Sequence, residues 1–257
     1  MKWLFIIIVA LTMLPNAYAK DCYNNGWFCI DIDESTGHVL LFNQTQFPVV
    51  VSFNGRWRDQ HGNRQNLKKT LSLSASEEVT VIEFDYRGAR RSLNYSVNWV
   101  GGVLDAQHDS NAVYYYPFAP GKTYRLVQGF GGGFSHYGPS KYAVDFAMPV
   151  GTPVHAARGG TVIDVEYRND KGGSSRRYAR YANYIVILHE DGTTGEYYHL
   201  RKNGVVVSQG DRISAGQLIG YSGNTGFSSM PHLHFAVYKA MENAKYQSIP
   251  FTFSAAP

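Results

Sequence analysis

Two histidines one residue apart, in Pro231-His232-Leu233-His234-Phe235, are the residues of this sequence best placed to do chemistry. In a strand, positions i and i+2 face the same way, so both imidazoles project into one cleft while Leu233 and Phe235 enter a core. Asp145 lies in Tyr142-Ala143-Val144-Asp145-Phe146-Ala147-Met148-Pro149, with alanines beside it on its own face and Tyr142, Val144 and Phe146 on the other. Small neighbours leave room for an ion next to the carboxylate, and a buried carboxylate needs a partner. Upstream, the run Gly129-Phe130-Gly131-Gly132-Gly133-Phe134-Ser135-His136 is a flexible approach able to deliver His136 to a crowded site. His199, in Gly195-Glu196-Tyr197-Tyr198-His199-Leu200, shares a strand face with Tyr197 near the strand end. Two histidines and one carboxylate, with a fourth position open to water, form a catalytic zinc set, and further histidines beside it can move protons.

These residues sit in text that resembles the lysostaphin/LytM-type zinc metallopeptidases, bacterial enzymes that cut peptide cross-links of peptidoglycan. The resemblance covers about Gln128 to Tyr238. It rests on Asp145-Phe146-Ala147-Met148-Pro149-Val150-Gly151-Thr152-Pro153-Val154 with Ala157-Arg158-Gly159-Gly160, then Tyr198-His199-Leu200, then Gly210 to Gly220, then Gly223-Asn224-Thr225-Gly226 and His232-Leu233-His234-Phe235. It implies one Zn2+ held by His136, Asp145 and His234, with His199 and His232 as the unliganded catalytic pair. It also implies a zinc endopeptidase acting on peptidoglycan stem peptides or cross-bridges. The rival reading is a non-catalytic LytM-like domain that binds the wall or activates another hydrolase. One departure stands out. The family pattern places the first ligand four residues before the aspartate, where this chain has Lys141, and His136 lies nine before it. Tyr137 to Lys141 must therefore bulge, and His108 is the alternative ligand. Tyr197 and Asn183 are candidates to line the substrate groove.

The elements that must hold these groups read as strands. With 44% hydrophobic and 17% charged residues the chain builds a core, and 19 Tyr with 26 Gly fit strands and turns better than a helix bundle. The expected fold class is all-β and mainly antiparallel. A small β-sandwich-like domain over 20–118 carries short alternating runs at 38–42, 48–53, 67–73, 79–84 and 95–99. A metallopeptidase domain over 119–257 carries strands at 152–167, 183–189, 195–200 and 232–238. Pro117-Phe118-Ala119-Pro120-Gly121 is the expected joint, and 171–180 reads as an exposed loop. Trp57, Trp99 and the Arg87, Arg90, Arg91 cluster read as core aromatics and a solvated turn in preference to a wall-binding surface.

Residues 1–19 read as an export signal: Lys2, an apolar run from Leu4 to Leu14, Pro15, then Ala17-Tyr18-Ala19 before Lys20. The chain is therefore expected in the periplasm or outside the cell, with no membrane span once the signal is cleaved. In an oxidising compartment Cys22 and Cys29, the only cysteines, pair as a disulfide. Asn43 and Asn94 head glycosylation triplets that matter only in a eukaryotic secretory pathway. A formal charge of +4, falling to +3 without Lys2, is too mild for a nucleic-acid partner.

Overall fold

The computed structural model describes residues 21–23, 26–33, 36–59, 61–83 and 93–254. The export signal at 1–19 and the arginines at 87, 90 and 91 lie outside the described residues. Strands dominate, and the 3-10 segments Gly138–Ser140, Arg176–Tyr181 and Glu242–Ala244 are short. The chain is all-β and mainly antiparallel. No helix among the described residues is long and apolar enough to cross a membrane.

The first part of the chain makes two antiparallel sheets. One orders Asp21–Tyr23, Phe28–Asp33, His38–Asn43 and Glu78–Glu83; the other places Val49–Arg58 between Arg64–Leu73 and Asn94–Gly101. Their inward residues, Phe28, Ile30, Val39 and Leu41 from one and Val51, Phe53 and Leu73 from the other, share one cluster, as the alternating runs require. Trp99 is part of this packing, 5.3 Å from Phe28 and 5.5 Å from Tyr23 between ring centroids. Cys22 and Cys29 face each other across the first hairpin and are joined as a disulfide. The Asn43 amide is buried and donates to the carbonyls of Phe47, Leu73 and Ser74, which closes that triplet to a glycan.

The second core lies under an eight-stranded sheet. Across it run Arg212–Ile213, Gly160–Glu166, Tyr184–Leu188, Thr194–Tyr198, Leu233–Met241, Val144–Phe146 and Leu126–Gln128, with Lys245–Ile249 also paired to Leu233–Met241. Register fixes which side chains share a face: Asp145 lies opposite His234, and His234 opposite Tyr198. The alternate residues Val144, Phe146, Leu233, Phe235, Tyr197, Ile185 and Ile187 fill the core on the other face. Tyr114 and Phe118 pack into this same core, and Tyr114–Tyr115 pairs in parallel with Phe253–Ser254.

Two elements differ from those expected. The run expected as one strand over 152–167 is two, because Pro153–His155 pairs with Leu218–Ser222 in a small separate sheet while Gly160–Glu166 pairs with Tyr184–Leu188 in the large one, entering it at a glycine with no room for a side chain. A Cβ on Gly160 would stand 2.2 Å from the Leu188 carbonyl oxygen. The segment 171–180 is exposed as expected but is not an irregular loop throughout: Gly172–Gly173 pairs in parallel with Gly226–Phe227, and Arg176–Tyr181 is a 3-10 turn.

Candidate metal centre

Three side chains meet on one face of the large sheet. One ligand atom from each of His136, Asp145 and His234 lies within 4.8 Å of the other two, and all three residues are buried. His136 Nε2 is 3.1 Å and His234 Nδ1 2.9 Å from the same Asp145 oxygen, Oδ1, and the two nitrogens are 3.3 Å apart. Burial alone would raise the Asp145 carboxyl, but His136 and His234 outweigh it and hold the group well below the usual carboxylate range. Asp145 is thus an anion held between imidazoles.

The glycine approach explains how His136 arrives from nine residues away. The chain turns at Gly131 (φ 71°) and Gly138 (φ 56°), and the Gly131 N–H donates to the Lys141 carbonyl at 2.7 Å, so 132–140 closes as a loop. The required bulge is the 3-10 turn Gly138–Ser140. His136 Nδ1 lies 2.9 Å from the Gly129 carbonyl; donating there leaves the Nε2 lone pair aimed at the site. Lys141 turns away, its ammonium 5.2 Å from the Tyr142 ring. His108 lies elsewhere, with Nε2 3.2 Å from the Tyr114 hydroxyl, so the structure brings His136 and not His108 to Asp145.

Two more imidazoles complete the cluster. The His199 and His232 rings are 4.5 Å apart, His199 is 5.9 Å from His234, and His232 Nε2 is 3.8 Å from Asp145 Oδ1. Each has its Nδ1 committed to a carbonyl: His199 to Thr225 at 2.7 Å, His232 to Met230 at 2.8 Å, with Ser228 Oγ 3.0 Å from His232 Nδ1. Both Nε2 atoms therefore face the site as acceptors. Burial, then the neighbouring imidazoles His232 and His234, push His199 down to about 3; burial also lowers His232. Both are neutral at pH 7.

His199 does not share the face of Tyr197. It has φ +69°, which ends the Thr194–Tyr198 strand and swings its ring to the side of Tyr198 and His234. Tyr197 lies wholly in the core, its hydroxyl accepting the Ala157 N–H at 2.7 Å, and so lines no groove. Asn183 is equally buried and donates to the carbonyls of Asn169 and Leu200, while its own N–H donates to Thr225 Oγ1. It braces the segment whose Thr225 carbonyl orients His199.

Residues not anticipated from the sequence support the centre. Gln128 donates from Nε2 to Asp145 Oδ2 at 3.0 Å and to Ser135 Oγ, and accepts the Phe134 N–H, tying the glycine loop to the carboxylate. Its signal was position: it pairs directly with Asp145 across the Leu126–Gln128 strand. The Tyr198 ring packs edge-on against His234, and its hydroxyl donates to Glu196 Oε2 at 2.8 Å. Burial pushes Glu196 up to about 7 against the pull of the Tyr198 and Thr194 hydroxyls. A cavity of about 130 Å³ opens on the cluster, lined by Gln128, Phe134, Asp145, His199, Phe227 and His232 among others.

Two imidazole nitrogens and a carboxylate aimed at one point, with the tautomer of His136 set by a backbone carbonyl, fit a divalent transition metal. The chain is 41% identical over 121 residues to the glycyl-glycine endopeptidase ALE-1 of Staphylococcus capitis, covering 46% of this chain and 30% of that protein. To lysostaphin of Staphylococcus staphylolyticus it is 37% identical over 154 residues, 58% of this chain and 28% of the relative. To the peptidoglycan DD-endopeptidase ShyA of Vibrio cholerae it is 30% identical over 188 residues, 71% of this chain and 40% of the relative. The chain spans less than half the length of these relatives. Residues 139–247 match the sequence model of Peptidase family M23, a span that holds Asp145, His199, His232 and His234 and begins just after His136; the chain carries a Peptidase family M23 domain.

Proposed function

We propose that this protein is an exported, zinc-dependent endopeptidase that hydrolyses amide bonds in peptidoglycan cross-links. The observation that carries the reading is the convergence of His136 Nε2, the Asp145 carboxylate and His234 Nδ1 within 4.8 Å, flanked by two neutral imidazoles. The relatives named as glycyl-glycine and DD-endopeptidases support the substrate class. Export is supported by the apolar leader of the sequence and by the Cys22–Cys29 disulfide, which suits an oxidising compartment.

His136, Asp145 and His234 hold the ion. Zinc, when bound, polarises the scissile carbonyl and lowers the pKa of water. The chain's own part is to move protons and exclude solvent. An Nε2 of the His199–His232 pair takes the proton from the attacking water as the C–O bond forms. The same proton then passes to the amine nitrogen as the C–N bond breaks. While it holds that proton, the ring is a cation beside the developing charge and hydrogen-bonds to it; the partner imidazole, 4.5 Å away ring to ring, stays neutral with its Nε2 free to accept from the attacking water. The carbonyls of Thr225 and Met230 hold both rings in the required tautomer.

The test is digestion of purified peptidoglycan by the full chain, with mass spectrometry of the fragments. New amine ends that vanish with chelator and return with zinc are expected. Stoichiometric zinc with no new amine end would favour a wall-binding protein.

A further inference from the structure

The segment 171–181 carries Lys171, Arg176, Arg177 and Arg180 and no carboxylate, and it is anchored beside the metal centre by the parallel pairing of Gly172–Gly173 with Gly226–Phe227. Of these cations Arg176 is the one that reaches a ring lining the cavity, that of Phe227. Its guanidinium lies 5.5 Å from the ring centroids of both Tyr137 and Phe227, and Nη2 donates to the Tyr137 hydroxyl. Tyr137 follows His136 directly in sequence. Phe227 lines the same cavity as Asp145, His199 and His232, and Phe134 stacks on it at 5.1 Å. Arg177 and Arg180 instead lie over Tyr178 and Tyr181, within their own segment.

Arg176 has no ion-pair partner among the described residues. The cation–π contacts and the Tyr137 bond fix where the guanidinium sits without neutralising it. One donor is spent on Tyr137, and the rest of the fork is free to reach a planar anion. A side chain exposed to water and merely solvated has no need of two rings and a hydroxyl, drawn from two distant stretches of chain, to hold its head beside a ring that lines the cavity.

We propose that Arg176 forms a carboxylate subsite of the cleft, binding a free carboxylate of a stem peptide near the bond to be cut, with Tyr137 and Phe227 as its platform. This rests on the peptidoglycan endopeptidase reading and names a specificity determinant within it. A carboxylate brought there meets a charge-assisted, bidentate partner whose orientation is already fixed, which lowers the ordering cost of binding. A carboxamide of the same shape gains no charge term and repels one N–H of the fork.

The experiment uses the zinc-loaded full chain and two synthetic stem peptides that differ only in one group, a free carboxylate or its carboxamide. Binding is measured by calorimetry and hydrolysis by mass spectrometry. The wild type is expected to bind the carboxylate peptide roughly tenfold more tightly, the size of one charge-assisted pair. Arg176→Gln should erase that preference by weakening the carboxylate peptide alone, raising KM for it with kcat nearly unchanged; Arg176→Lys should restore part of it. Zinc content, equal in all three proteins, confirms that the centre is intact. Equal binding of the two peptides by the wild type overturns the subsite, as does a loss in Arg176→Gln that is the same for both, or no binding of either. Preferential binding without cleavage sinks the hydrolase reading and leaves the subsite standing.

Discussion

His232 and His234 are two residues apart and make opposite predictions. His234 Nδ1 touches Asp145 at 2.9 Å, whereas His232 presents its Nε2 at 3.8 Å with Nδ1 tied to Met230. His234→Ala is therefore expected to lose stoichiometric zinc. His232→Ala should keep the metal and lose roughly 10²- to 10⁴-fold in kcat, the usual scale of a positioned acid or base. Metal analysis of both variants checks this, and loss of zinc from both would show that the two residues are not divided in role. The remaining buried histidine gives a stability prediction. His189 is enclosed, with Nδ1 2.8 Å from the Gly159 carbonyl and Nε2 without a partner; burial pushes it down to about 4, with Arg158 and His108 acting in the same direction and the Gly159 carbonyl and Asp191 opposing. Its folded pKa lies below the unfolded value of 6.5, so the unfolded chain takes up more protons between those values and stability falls as pH drops from about 6.5 to 4. The loss should reach about 3 kcal/mol, and His189→Asn should flatten that part of a denaturation series. At this scale much was legible in the sequence: the H-x-H pair, Asp145 with its alanines, and His199 are all found at the cluster. The carbonyls of Gly129, Thr225 and Met230 that set each tautomer were not, because a backbone acceptor leaves no signature in residue type.

Strand parity predicted faces correctly where the backbone stays extended and failed where it does not. Leu233, Phe235, Val144 and Phe146 point into the core as alternation demands, and Asp145 and His234 point away from it. His199 breaks the pattern because its positive φ reverses the facing of one residue, a conformation that histidine adopts more readily than most non-glycine residues but that no alternation rule reports. Tyr197, counted on its face, is consequently a core residue. The loop from Gly129 to His136 offers a test of how an element delivers a ligand. A Cβ on Gly132 would stand 2.1 Å from Gln128 Cγ, in the side chain that ties the loop to Asp145 Oδ2. Gly132→Ala should displace Gln128, release the hold on the loop and weaken zinc binding roughly 10- to 100-fold, the range for a lost partner of a metal ligand. Competition with a chelator measures it, and unchanged affinity would mean that the loop holds His136 without Gln128. The segment 171–181 is tested at Gly172, whose added Cβ would meet the Asn224 carbonyl oxygen at 1.9 Å. Gly172→Ala should break the parallel pair with Gly226 and speed tryptic cleavage after Arg176, Arg177 and Arg180; the same digestion rate as the wild type would place the anchor elsewhere.

The two cores meet through the large sheet, and this sets how the whole molecule unfolds. Ile163 and Val186 belong to strands of that sheet yet are buried in the first cluster with Phe28, Val51 and Phe53, on the face opposite Val162, Ile185 and Ile187. Contact is close: a Cβ on Gly101 would fall 2.5 Å from Ile163 Cδ1. Further along, Leu104 bridges to Ala240, and the Asn243 N–H donates to Thr70 Oγ1 at 3.1 Å. Proline and glycine at 117–121 mark a change of course in the sequence, but burial of an Ile163 or a Val186 against a distant hairpin is a tertiary fact that no local pattern carries. The sheet face that holds Asp145 and His234 is the same one the first sandwich covers at Val186, so loss of that packing is expected to reach the centre. Ile163→Ala removes a side chain only 1% exposed and should cost about 2–5 kcal/mol. If the cores unfold together, calorimetry of the full chain gives one transition, and the variant lowers all of it by roughly 5–15 °C at this chain length. Two resolved transitions, with only the earlier one shifted by Ile163→Ala and the zinc-stabilised one unmoved, would show instead that the sandwich is a dispensable neighbour of the metal centre.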